Sequence, residues 1–152
     1  MVKQMGETDS EEVVPASRVG RAWVDYFTWG HIAMGLGFFT VGYLIVSLFA
    51  PVFASCAALL IAAITGWLWE VFENNLMWSW GMKFEDRKDS INNLLGDEMW
   101  VMFGAILMWI VSIIVLEVET AFWWFYVICA VGLLICLIGF FSSKAYHEKH
   151  GT

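Results

Sequence analysis

VFASCAALLIAAITGWLWEVFENN, residues 52–75, has no charged side chain in its first 18 positions and then places Glu70, Glu73 and Asn74 close together. At about 1.5 Å per residue, an uncharged run of that length crosses most of the roughly 30 Å hydrocarbon core of a bilayer. Pro51 precedes it and closes a second apolar run, 23–49. Proline cannot continue a helix, and so short a connection forces the two runs into an antiparallel hairpin. Working outward, the chain has two more long apolar segments, 90–116 and 121–141, joined by a short acidic turn containing Glu117, Glu119 and Thr120.

Four such segments in 152 residues, with 60% apolar residues and ten Trp, define the class. We expect an all-α polytopic membrane protein with four transmembrane helices, spanning 23–142 with no separate soluble domain. Residues 1–22 are polar and acidic (Glu7, Asp9, Glu11, Glu12) and lack an apolar core for a signal peptide, so they are expected to form a flexible cytoplasmic tail. Residues 143–152 form a second tail. Cys56, Cys129 and Cys136 lie inside apolar runs without metal-ligand spacing and are read as packing residues.

All eight basic residues fall on one side of this topology: Lys3, Arg18, Arg21, Lys83, Arg87, Lys88, Lys144 and Lys149. The positive-inside rule then puts both termini and the 77–88 loop in the cytoplasm, making this a multi-pass protein of the cytoplasmic (inner) membrane. Trp23, Trp29, Trp78 and Trp80 mark one interface, and Trp123 and Trp124 the other. The net charge of −7 lies largely in tails and loop, which indicates no nucleic-acid partner.

Chemistry concentrates on the cytoplasmic side. Glu70, Glu73 and Asn74 share a face of the second helix, while Asp89, Asn93 and Asp97 recur every four residues on the third. That second stripe climbs about 12 Å inward from the helix edge. Asp25 and His31 bring a third helix to the same layer, with His31 about 12 Å deep if the span starts near residue 23. An ionised Asp at mid-membrane costs about 2.5–3.5 kcal/mol, and no Lys or Arg lies within any span to offset it. Protonation, amide hydrogen bonds, water or a bound cation must compensate.

Several of these residues also have ordinary readings. Glu73, Asn74, Asp89 and Ser90 suit helix ends or caps, and His31 suits a hydrogen-bonded packing position. Glu98, one position round from Asp97, is expected to face elsewhere. The small residues Ala33, Gly35 and Gly37 read as a close helix contact.

The strings Trp69-Glu70-Val71-x-Glu73-Asn74 and Asp89-Ser90-x-x-Asn93-x-x-x-Asp97, with His31-x-x-x-Gly35 upstream, resemble an uncharacterised domain-of-unknown-function family of small bacterial inner-membrane proteins. More distantly they resemble VanZ-like proteins, linked to envelope antibiotic tolerance. The resemblance covers residues 25–104 and implies a membrane protein with a shared polar site. Met34 stands where the family tends to carry a second histidine, and the 82–88 loop is charged where the family tends to be aromatic. A two-histidine metal centre is therefore not expected.

The leading expectation is a divalent-cation site (Mg²⁺, Mn²⁺ or Ca²⁺) held by Glu70, Glu73, Asp89, Asn93 and Asp97, with no organic cofactor. His31 and Glu73 would serve as acid or base, supported by Asp25 and Asn74. Arg87 and Lys88 would draw in an anionic lipid headgroup, and any reaction would be metal-dependent chemistry on a membrane lipid or lipid phosphate. Two other readings stay open: a proton or cation relay, and a non-catalytic accessory subunit of a homo-oligomer or larger membrane complex.

Overall fold

The computed structural model describes residues 22–83, 88–116 and 122–150, in which every long element is helical. Four helices are long and apolar enough to cross a membrane: Thr28–Ser47, Pro51–Met77, Ile91–Leu116 and Trp123–Lys149. We call the α-helices α1 (Thr28–Ser47), α2 (Ala54–Val71), α3 (Ile91–Leu116) and α4 (Phe122–His150). Residues 1–21, Arg87 and the acidic turn at 117–120 lie outside the described residues.

Local chemistry sets the boundaries. Residues 23–27 do not continue α1 backwards, because the Phe27 amide donates to Asp25 Oδ1 (2.8 Å) and the Asp25 amide to Thr28 Oγ1 (3.1 Å), a side-chain turn that competes with helix. At the other end Pro51 opens a short 3₁₀ turn, Pro51–Phe53, that feeds directly into α2 and makes the expected hairpin. The Asn93 amide donates to Ser90 Oγ at 3.2 Å, so Ser90 caps α3.

Beyond Val71 the second span continues as a π-helical stretch, Phe72–Met77. Wide turns leave α-type carbonyl partners unmade. Here Asn74 Nδ2 donates to the Glu70 carbonyl (3.1 Å) and Asn75 Nδ2 to the Val71 carbonyl (2.9 Å), supplying the missing donors. Gly81, at φ 65°, then turns the chain toward α3.

α1 is the hub, packing on α2, α3 and α4, and most extensively on α3. Glycine permits that approach: a Cβ on Gly35 would run into the Val101 carbonyl and lie 2.8 Å from the Ala105 nitrogen, and one on Gly104 would strike the Ile32 carbonyl. Gly37, by contrast, has open space around it. On α2 the buried residues are Ala54, Ala58, Ala62, Gly66 and Glu70, a four-residue repeat of small side chains that ends in a carboxylate. Phe39, Met108 and Phe125 fill the centre of the bundle.

The outer surface carries many large apolar side chains. Val52 (88% exposed), Ile91 (77%) and Trp123 (75%) belong to a surface of large hydrophobic side chains, which suits hydrocarbon as the surrounding solvent. The start of α1 and the end of α4 meet, with Trp29 Nε1 donating to Ser143 Oγ (3.1 Å) and the Tyr26 ring beside His147. α4 thus continues as helix beyond 141 to His150, where residues 143–152 were expected as a tail. Lys144 and Glu148, four residues apart and 3.9 Å from each other, support the extra turns.

Candidate functional site

Three of the polar residues singled out in the sequence converge in the bundle. His31 sits one turn into α1, Glu70 at the end of the small-residue face of α2, and Asp97 two turns into α3, all buried. Because α1 begins at Thr28 and not near residue 23, His31 stands about 5 Å from the helix start, where counting from residue 23 gives about 12 Å.

His31 Nε2 lies 3.3 Å from Glu70 Oε1, and Nδ1 lies 3.2 Å from Asp97 Oδ1. The imidazole is therefore wedged between two carboxylates from different helices. Neither contact has aligned hydrogen-bond geometry, and His31 Nδ1 and Glu70 Oε1 remain buried without a hydrogen-bond partner. One ligand atom from each of the three residues lies within 4.8 Å of the others, so this group has the composition and spacing to hold a metal ion. Among the described residues no Lys or Arg pairs with Glu70 or Asp97.

Surrounding amides orient the acids. Asn93 Nδ2 donates to Asp97 Oδ2 from one turn earlier on α3. Asn74 Nδ2 donates to Glu70 Oε2 at 3.4 Å, and its Oδ1 accepts from Lys83 Nζ (2.9 Å) and from the Asp89 amide (2.8 Å). Asn74 thereby ties Glu70 to the loop and to the start of α3. Asn93 and Asn74 act as positioning residues here.

The other anticipated ligands are engaged elsewhere. Glu73 Oε1 lies 3.5 Å from Lys83 Nζ, and its Oε2 accepts from Trp69 Nε1 at 3.1 Å. Asp89 pairs with Lys83. Asp25 organises the entrance to α1, as described above. Lys88 is exposed, its ammonium 4.6 Å from the centroid of the Trp78 ring.

One participant was not anticipated. Lys83, read only as a loop charge, is buried among Glu73, Asn74 and Asp89 and latches the loop onto the bundle. Glu98, expected to face elsewhere than Asp97, lies outside the His31, Glu70 and Asp97 group, 7% exposed and against Gly66 of α2. α3 packs on both α1 and α2, so adjacent positions on it meet different neighbours and both are covered. Nothing local in the sequence marks Lys83 as buried; the small-residue repeat leading to Glu70 does mark Glu70 as inward.

Compared with protein-family models, with curated proteins and with solved structures, the chain matches none.

Proposed function

We propose that this four-helix membrane protein binds a divalent cation at His31, Glu70 and Asp97 and presents it to an anionic lipid headgroup near the cytoplasmic leaflet. One observation carries the reading: three buried ligand-type side chains from three helices face one another without aligned hydrogen bonds between them and, among the described residues, without a Lys or Arg partner. Two buried carboxylates so placed are costly unless positive charge joins them; a protonated His31 supplies one charge for the two acids, and a divalent cation supplies both. One nitrogen and two carboxylate oxygens favour Mn²⁺ or Zn²⁺ over Mg²⁺ and Ca²⁺, which prefer all-oxygen shells.

A bound cation would neutralise the carboxylates, offer a phosphate oxygen a positive partner, and acidify a coordinated water. Without it, Glu70 and Asp97 repel the same phosphate. The chain's own residues supply the rest: Asn93 and Asn74 hold the carboxylates in place, and Lys83 secures the loop beside them. Lys88, exposed beside Trp78, adds positive charge at the rim, and Arg87 precedes it in sequence as a second attractor.

Isothermal titration of purified protein with Mn²⁺, Zn²⁺, Mg²⁺ and Ca²⁺ tests this reading. Mn²⁺ and Zn²⁺ should bind at one site and weaken at least tenfold in Asp97→Asn and Glu70→Gln. Titrations in which neither substitution alters binding of any of the four ions would refute it.

The wedged imidazole favours one alternative. A ring with each nitrogen against a separate carboxylate is also arranged to carry a proton from Glu70 to Asp97. In proteoliposomes that mechanism requires a proton flux that Glu70→Gln abolishes, with no need for a divalent ion.

A further inference from the structure

Among the described residues Lys83 is the one buried basic side chain, and two of its partners, Glu73 and Asp89, are carboxylates that the sequence pattern marks as cation ligands. Its ammonium lies 3.5 Å from Glu73 Oε1, donates to Asn74 Oδ1 at 2.9 Å and pairs with Asp89. This layer stands next to the His31, Glu70 and Asp97 group, at the end of the bundle where α1 and α3 begin and the second span ends. Glu73 and Asn74 follow Glu70 by three and four positions, and Asp89 precedes Asp97 by two turns. Polar atoms are continuous between the layers. Asn74 Nδ2 reaches Glu70 Oε2, Asn93 lies one turn before Asp97 with its Oδ1 buried and unpartnered, and Asp89 is within electrostatic reach of Asp97.

Elsewhere the three-residue group is closed by apolar packing. One turn deeper, Val101 fills the space between α1 and α2: a Cβ on Gly35 would run into its carbonyl, and one on Gly66 would lie 3.0 Å from its Cγ1. Beside α3, the backbone of Trp23 covers Gly96, where a Cβ would fall 3.1 Å from the Trp23 carbonyl oxygen, and Trp100 Nε1 holds that oxygen at 2.9 Å. Sideways lies hydrocarbon, which offers an ion no ligands. The polar column is the route of lowest cost for a cation, and a positive charge stands in it.

We infer that the Lys83 side chain is a gate, a tethered cation that must leave the Glu73, Asn74 and Asp89 oxygens before a metal ion can enter or leave the site between His31, Glu70 and Asp97. While the ammonium stays, those oxygens are taken and like charge repels the arriving ion. When it swings toward water, they receive the ion and pass it inward, and the ammonium returns behind it. Trading one cation for another keeps the buried carboxylates compensated throughout. Lysine suits the task, with a compact charge on a flexible four-carbon stem. The gate rests on the cation reading and adds to it how the ion is exchanged.

Stopped-flow mixing of the full-length protein in nanodiscs with Mn²⁺, and of the Mn²⁺-loaded protein with excess chelator, measures capture and release through quenching of tryptophan fluorescence. A gate and a mere fastener differ in the split between the two rates: loosening the fold speeds release alone, whereas removing a gate speeds capture as well. Lys83→Met and Lys83→Gln, two neutral replacements, should each raise capture about tenfold or more and raise release further, so that affinity falls. Lys144→Met, which removes the same charge from the same end of the bundle at a site 44% exposed, should change capture by less than about twofold. Neutral variants that bind Mn²⁺ with capture unchanged or slowed overturn the gate and leave the cation site standing, as does an equal gain in Lys144→Met. Wild-type protein that binds no Mn²⁺ in equilibrium titration overturns both.

Discussion

A hydrogen atom in place of a side chain decides how closely α1 and α3 approach, and that approach brings His31 to Asp97. At Gly35 the missing Cβ is replaced by the backbone of Val101 and Ala105, which cannot move aside as a flexible side chain can. Gly35→Ala should therefore cost about 3 kcal/mol or more, measured by reversible unfolding in mixed micelles, whereas Gly37→Ala should change stability by less than about 1 kcal/mol. A small-residue contact was legible in the sequence around residues 33–37. Which of the small residues makes it was not, because that depends on where the neighbouring helix crosses. The same limit applies to the acids. Spacing correctly brought Glu70 and Asp97 together, but it could not show that Glu98 also meets a helix, since that burial comes from α2 lying on the second side of α3.

Bilayer thickness imposes a length on every span, which is why the four elements could be read from apolar runs alone. Their ends were less legible, because side-chain turns and polar helical extensions decide them: Asp25 delays α1, and α4 runs on through Lys144 and Glu148 to His150. The loop was the least legible element. Lys83 was counted there only as an orienting charge, yet its ammonium is buried among three partners. Removing one member of a buried pair leaves the other charge uncompensated and costs about 3–5 kcal/mol. Lys83→Ala should thus release the loop, seen as faster amide hydrogen exchange over residues 78–90, and should weaken Mn²⁺ binding because Asn74 loses one of the contacts that aim it at Glu70.

At the scale of the whole molecule, four helices long and apolar enough to cross a membrane carry large apolar side chains on their outer surface, where a water-soluble bundle would carry polar ones. The orientation read from the basic residues is directly testable. With native cysteines replaced, Lys88→Cys and Lys144→Cys should react with a membrane-impermeant maleimide only from the cytoplasmic face, and Trp123→Cys only from the other. The reverse pattern would move the proposed cation site to the opposite leaflet. One further consequence follows from the wide turn at Phe72–Met77. A π turn holds one more residue than an α turn, so deleting a single residue there would restore a regular helix while swinging everything downstream by about 100°. Lys83 would then leave on the wrong side of the span, out of reach of Asn74. Chain length through this short stretch is therefore under as tight a constraint as side-chain identity, and variants differing by one residue there would have to find another way to fasten the loop.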